Sequence, residues 1–216
     1  MSVNFYEIRH CPSCGLRYPL TEGHPFGERC PSCLGETKVV LKHTISHLPS
    51  IDKEAEIRHG SHLSVLLDNI RSVWNVGSIF RTADGLGINK LYLCGITPTP
   101  ENESMHKTSL GAENSVGWEF SRNALETVKR LKAEGYTLIA LEQDSRANPL
   151  DSFEAAHLQK VILIIGNEVT GVDPDILNLC DYIIHIPMHG QKQSLNVEAA
   201  FAIAAFTLLS SSLKIE

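Results

Sequence analysis

No stretch of this sequence combines the length and apolarity needed for a helix that spans a bilayer. The longest apolar run, Val197 to Leu209, carries Glu198 and Thr207, and no apolar segment near the amino end looks like a signal peptide. These absences argue against a membrane-anchored protein and lead to the expectation of a globular, cytoplasmic one. Internal repeats are also missing beyond two Cys-Pro-Ser-Cys tetrads, and there is no low-complexity tract. Neither G-x-G-x-x-G nor a P-loop lysine occurs, which sets aside the common glycine-rich phosphate cradles. Positive charge is scarce: 19 Lys and Arg face 25 Asp and Glu, a net charge of -6. Residues 1–60 hold seven of each sign, which leaves 12 basic against 18 acidic side chains in residues 61–216. A phosphate-rich partner would need a local basic groove on this acidic body.

The chain has 216 residues, 43% hydrophobic and 20% charged, enough for one domain with a sizeable core and a small appendage. The first forty residues are dense in Cys, Gly, Pro and His, and the composition changes across Leu48 to Gly60. We therefore expect a small domain over 1–48, a linker over 49–60 and a main domain over 61–216. From Leu63 onward, short β-branched runs alternate with helical patterns. The reading is strand Leu63–Leu67, helix Gly77–Gly85, strand Lys90–Cys94, a short helix around Lys107, a strand near Val116–Phe120, helix Ala124–Ala133 and strand Thr137–Leu141. A loop, or alternatively a helix, covers Gln143–His157. Strand Val161–Ile165, helix Pro174–Leu179, strand Tyr182–Pro187 and helix Leu195–Leu209 complete the pattern. Such alternation predicts an α/β fold, a mostly parallel sheet with helices on both faces. Ligands in such sheets bind beyond the carboxyl ends of the strands.

Four cysteines stand apart. Cys11-x-x-Cys14 and Cys30-x-x-Cys33 are separated by fifteen residues, the spacing with which two knuckles offer four thiolates to one tetrahedral Zn2+. Pro12, Gly15, Pro31 and Gly35 suit the tight turns required. A redox pair is the rival for either C-x-x-C alone, but no thioredoxin-like strand and helix surround them. A unit this small usually needs a metal or disulfides to fold, so the expected zinc is structural. His10 and His24 are spare nitrogen ligands, and Cys94 and Cys180 read as core residues.

Three polar segments follow apolar runs: Asn75-Val-Gly-Ser-Ile-Phe-Arg81-Thr-Ala-Asp84, Gly166-Asn-Glu168-Val-Thr-Gly171, and Ile186-Pro-Met188-His-Gly190 continuing to Ser194-Leu-Asn196-Val-Glu198. Each has a bland reading. The first is an amphipathic helix with Ile79, Ala83 and Leu86 inward and Gly77, Arg81 and Asp84 opposite. The second is a strand-to-helix turn with an exposed Glu168, ahead of Asp173 and Pro174 as cap and first helical residue. In the third, Ser194 caps an almost wholly apolar helix, which must be buried in the core or against a second subunit.

Taken together, N-x-G-x-x-x-R-T-A, G-N-E-x-x-G and P-M-x-G-x-x-x-S-L-N resemble the SpoU (TrmH-like) branch of the SPOUT RNA methyltransferases over roughly Leu63 to Leu209. The resemblance implies transfer of a methyl group from S-adenosylmethionine to a ribose 2'-hydroxyl of tRNA or rRNA, a carboxy-terminal trefoil knot and a homodimer. It makes Arg81 the catalytic arginine, with Asn75, Glu168, Ser194 and Asn196 as active-site partners. Leu141, Gly166, Ile186, Met188, Ser194 and Leu195 become cofactor contacts, and His106, Lys107 and Thr108 a substrate-facing stretch, which otherwise reads as a solvated loop. Arginine is a poor general base. Arg81 would therefore hold a phosphate and stabilise the developing alkoxide, or a substrate phosphate would help to take the proton. Glu198 departs from the family, which often has a small hydroxyl residue there; His189 reads as solvated. The rivals are a non-catalytic RNA-binding or assembly protein on the same fold, and a methyltransferase for a non-RNA substrate.

Overall fold

A computed structural model describes residues 5–24, 28–44, 62–88, 90–155 and 157–211. The chain divides into two units, Met1–Glu56 and Ile57–Glu216. The expected linker over 49–60 lies outside the described residues.

The first unit is a three-stranded antiparallel sheet, β1 (Phe5–His10), β2 (Arg17–Thr21) and β3 (Lys38–Thr44), in the order β2-β1-β3. Its pairing shifts between Ile8 and Arg9, so Val40 is left over opposite the bulge. Only Arg9, Cys11 and Cys30 are buried among its described residues. A sheet with so little apolar filling needs another source of stability.

The second unit is built on seven strands: β4 (Leu63–Asp68), β5 (Lys90–Cys94), β6 (Gly117–Ser121), β7 (Thr137–Leu141), β8 (Asn148–Pro149), β9 (Val161–Ile165) and β10 (Tyr182–His185). They run in the order β6-β5-β4-β9-β7-β10-β8, and every pair is parallel. The helices are α1 (Val73–Gly85), α2 (His106–Ser109), α3 (Ala124–Ala133), α4 (Pro174–Leu179) and α5 (Val197–Ser211).

Side chains alternate along each strand, and here both faces are covered. Leu63, Val65 and Leu67 of β4 and Val161, Leu163 and Ile165 of β9 face one core, which α1 completes with Ile79 and Phe80 and α5 with Phe201 and Leu208. Leu66, Ile162 and Ile164 face the other, filled by Val128 and Leu131 of α3 and Ile176 of α4. The expected α/β architecture is what the chain adopts. No helix among the described residues is long and apolar enough to cross a membrane.

The departures are local. Helix α1 begins at Val73, four residues before the predicted start, because the Ser72 side chain accepts the Asn75 N–H and caps it there. Gly77 is buried rather than outward; a Cβ there would come within 2.0 Å of Thr108 Oγ1 and 3.0 Å of the Met105 carbonyl. The closest approach at Gly77 is therefore that of the neighbouring turn. The described residues of 143–157 hold the two-residue β8 and a 3-10 turn, Leu150–Ser152, and no α-helix. Helix α5 starts at Val197 and is capped by Asn196, whose Oδ1 accepts the Glu198 N–H at 2.9 Å, so the cap is not Ser194. One face of α5 is buried through Phe201, Ala204, Ala205 and Leu208, while Ile203 and Phe206 are open.

Candidate active site

Strands β9, β7 and β10 are adjacent in the sheet, and the loops leaving their carboxyl ends enclose a cavity of about 570 Å³. Leu141, Gly166, Ile186, Met188, Ser194 and Leu195, the six expected cofactor contacts, all line it. Glu168 and Asn196 line it too.

The wall after β9 is made by close backbone packing. A Cβ on Gly166 would lie 2.2 Å from Gly171 C and Val172 N, so no larger residue fits without moving the loop. Asn167 shapes the turn from inside. Its Oδ1 accepts from Val169 N (2.9 Å) and Thr170 N (3.2 Å), and its Nδ2 donates to the Asn69 carbonyl (2.7 Å). Gly171 has φ +71 and faces the Glu142 carboxylate. That carboxylate accepts from Val172 N and Gln143 N, each at 2.9 Å. Glu142 thus clamps the β7 and β9 loops together, and Gln143 extends the clamp by donating to the Gln193 carbonyl at 2.7 Å. Sequence reasoning missed Glu142. Its only signal is its position, one residue past the carboxyl end of a parallel strand, where such sheets place their ligands.

Glu168 connects this cavity to α1. It accepts from Arg71 N (3.0 Å), Ser72 N (3.2 Å) and Asn75 Nδ2 (3.1 Å). Partial burial pushes its carboxyl up, but the Arg71 N–H, its own N–H, the Asn75 amide and the Ser72 N–H outweigh that and hold it below the ordinary range. The Asn75 side-chain Oδ1 in turn accepts from Asn196 Nδ2 at 3.2 Å. Three segments distant in sequence are thereby joined in one chain of polar contacts. Beneath it the buried Asp68 carboxylate accepts from Asp173 N (3.0 Å) and Asn69 Nδ2 (2.8 Å); burial raises it more than those donors lower it.

Arg81 lies on a second cavity, of about 480 Å³, lined with Ser78, Thr82, Lys107, Thr108 and Glu198. It is exposed and has no hydrogen bond or ion pair to any described residue. The first turn of α5 separates the two cavities, with Val197 and Ala200 lining the first and Glu198 the second. Glu198 Oε1 accepts from Thr82 Oγ1 at 2.9 Å, which ties α5 to α1 beside Arg81. The His106–Thr108 stretch is split: Lys107 and Thr108 line the Arg81 cavity, while His106 is bound through Nδ1 to the buried Glu113 carboxylate. His189 is exposed.

In the first unit, the sulfurs of Cys11, Cys14, Cys30 and Cys33 all lie within 4.8 Å of one another, the one such cluster among the described residues. Cys11 and Cys33 are 3.5 Å apart, Cys14 and Cys30 3.6 Å. Each knuckle closes on a backbone turn, Gly15 N to Cys11 O and Leu34 N to Cys30 O. Gly15 takes the left-handed conformation the turn needs (φ +78), but in the second knuckle that residue is Leu34 (φ +61), not Gly35. Gly35 instead gives clearance, since a Cβ there would meet Ser13 Oγ at 3.1 Å and Cys33 Sγ at 3.3 Å. Backbone N–H groups point at the sulfurs, and that of Cys14 is the main cause pulling the Cys11 thiol down to about 6. The Leu16 N–H lowers Cys14, but the neighbouring sulfurs and burial outweigh it and push that thiol up to about 12, and Cys33 is raised too; Cys94 and Cys180 reach about 12 through burial. The donor set, its spacing and its N–H···S contacts fit a tetrahedral thiophilic metal.

A wholly parallel sheet with a cavity across the carboxyl ends of three neighbouring strands, rimmed by an amide and carboxylate network, defines an α/β enzyme with a site for a small cofactor. The chain belongs to the SpoU rRNA Methylase family, whose sequence model matches residues 62–206. It is 32% identical over 159 residues to a tRNA (guanosine(18)-2'-O)-methyltransferase of Thermus thermophilus, covering 73% of this chain and 79% of that protein. Similarity to a 23S rRNA (uridine(2479)-2'-O)-methyltransferase of Streptomyces viridochromogenes is 31% over 163 residues, 74% of this chain and 56% of the other. Among solved structures, the TrmH/SpoU tRNA modifying enzyme of A. aeolicus superposes with a TM-score of 0.64 at 26% identity, covering 71% of this chain and 76% of that one. An AdoMet-bound rRNA methyltransferase from Sinorhizobium meliloti gives 0.64 at 25% identity, covering 68% and 55%.

Proposed function

We propose that this chain transfers the methyl group of S-adenosylmethionine to a ribose 2'-hydroxyl of tRNA or rRNA. The observation that carries the reading is the Glu168–Asn75–Asn196 chain on the rim of the 570 Å³ cavity. The names of the Thermus and Streptomyces relatives, both RNA 2'-O-methyltransferases, support it.

The cavity fits the cofactor because its wall at Gly166 is bare backbone and its lining mixes apolar side chains with loop peptide groups. Leu141, Gly166, Ile186, Met188, Ser194 and Leu195 would hold it, and when bound it supplies an electrophilic methyl group on sulfur. Glu168 stays ionised and fixes the start of α1, so that Asn75 and Asn196 present their amides from a rigid frame. Arg81, free of internal partners and flanked by Lys107, holds a substrate phosphate and stabilises the oxygen as it loses its proton. The proton leaves either to that phosphate or to Glu198, whose carboxylate lines the same cavity. Much of the acceleration then comes from proximity and charge placement.

The same proposal includes a structural zinc on Cys11, Cys14, Cys30 and Cys33, and domains over 1–48, 49–60 and 61–216. It includes a trefoil knot, which the family resemblance implies. It also includes a homodimer that covers Ile203 and Phe206 of α5, and a cytoplasmic location where such RNAs are modified.

The test is to incubate the protein with radiolabelled S-adenosylmethionine and total RNA from a strain lacking the gene, then to digest the RNA and map the label. Label on a ribose 2'-oxygen is expected. Cofactor binding without any labelled RNA would favour the RNA-binding or non-RNA alternatives.

A further inference from the structure

The two faces of the three-stranded sheet in the first unit differ in kind. Opposed residues share a face, so the pairings sort the side chains. One face carries Glu7, Arg9 and Tyr18. It is engaged with residues 28–37: Arg9 Nε donates to Thr37 Oγ1 at 2.9 Å, and Tyr18 Oη donates to the Arg29 carbonyl at 3.1 Å.

The other face is organised in three rows across the strands, and Arg17, Pro19, Thr21, Lys38, Leu41 and His43 on it are exposed among the described residues. At one end Arg17, His10 and Lys38 are aligned. In the middle come Pro19, Ile8 and Leu41, with Leu41 50% exposed. At the far end are Thr21, Tyr6 and His43, the two rings with centroids 5.4 Å apart. No carboxylate occurs in any of the rows, although the unit as a whole carries six basic and seven acidic side chains. Arg17 and Lys38 are exposed and have no ion-pair partner among the described residues.

We propose that this face binds single-stranded RNA. A cationic row next to an apolar strip and an aromatic pair, half-buried Tyr6 beside exposed His43, is the combination that tracks a phosphate backbone while unpaired bases stack beside it. A purely electrostatic surface would not need the apolar and aromatic rows, and an apolar docking site would not segregate the cations from every acid. The need is also plain, because the remainder of the chain is acidic. The face adds affinity that is independent of the Arg81 cavity and does not require methyl transfer.

The test uses the full-length, zinc-loaded protein without S-adenosylmethionine and a fluorescein-labelled 12-nucleotide oligouridine, read by anisotropy over a series of KCl concentrations. Variants are Arg17→Glu with Lys38→Glu, and Tyr6→Ala with His43→Ala; zinc content and circular dichroism verify that each is folded. The charge variant should bind at least about 10-fold more weakly, and its log K against log salt should be flatter by about 1.4, as two lost phosphate contacts dictate. The aromatic variant should lose about 5-fold or more with the slope unchanged. Wild-type affinity retained by both variants, or failure of the wild type to bind, overturns the proposal. Equal binding of a polyglutamate peptide, with the aromatic variant silent, also overturns it and marks a general anion patch. Methylation of RNA by the same preparations is scored separately, so loss of this surface and loss of the enzymatic reading give different results.

Discussion

The two units solve the problem of stability in opposite ways. The second buries two apolar layers, one on each side of a seven-stranded sheet, and every strand from β4 to β10 contributes to a core or extends one. The first buries two cysteines and an arginine. Where apolar area is the main source of stability, loops can be spent on chemistry, and the second unit places its first cavity on the loops of an already stable frame and the Arg81 cavity among its helices. Where it is not, the loops themselves must hold the fold, and the knuckles of the first unit have that task.

The largest effect should come from removing the proposed zinc. Chelation should abolish hydrogen-exchange protection in β1 to β3 while leaving β4, β7 and β9 protected, since structural zinc supplies on the order of 10 to 16 kcal/mol of apparent folding free energy. Equal protection in apo and zinc-loaded protein would erase the contrast between the units.

Next, Arg81→Ala should lower kcat by about 100- to 1000-fold, the loss typical of one transition-state donor. Its cofactor Kd should match the wild type, because Arg81 lies outside the first cavity. A weakened Kd would mean that the two cavities are not separate. Gly166→Ala should do the reverse and weaken cofactor binding measured by calorimetry, by about 10-fold or more, since the added methyl must displace Gly171 and Val172. Thermal denaturation should register it as a modest loss confined to the second unit.

The smallest effect is on pH dependence. The Glu168 carboxyl is held lower in the folded protein than in the unfolded chain, so its contribution is complete above the ordinary carboxylate value. It is lost as pH falls through the folded value. Between pH 6 and pH 3 the melting temperature of the wild type should therefore fall slightly more steeply than that of Glu168→Gln. Parallel curves would show that the contacts of Glu168 do not favour its charged form.

The sequence was most legible where one physical signal dominated. Strand β9 is five β-branched or leucine residues between turn formers, α3 has a clear amphipathic period, and both are bounded as expected. Legibility failed where two signals competed. Ser72 and Ser194 are both hydroxyl caps by composition, but only Ser72 caps its helix, because the α5 backbone becomes helical three residues beyond Ser194 and Asn196 stands at the boundary. Leu34 was passed over as the left-handed residue because Gly35 next to it is the better intrinsic former; the turn closing on Cys30 fixes the position regardless of propensity. The six residues that the resemblance offers as cofactor contacts lie together on one cavity, whereas Glu142 carries no motif and emerges only when β7 and β9 are seen side by side.

The chain of contacts from Glu168 through Asn75 to Asn196 has a thermodynamic corollary. A ligand that orders the loop after β9 and one that engages α1 act on contacts that meet at Asn75. Linkage makes any such influence mutual: the factor by which a seated cofactor tightens the hold on RNA must equal the factor by which RNA tightens the hold on cofactor. Asn75→Ala, which removes the middle link, should bring both factors towards one while leaving each ligand its own site.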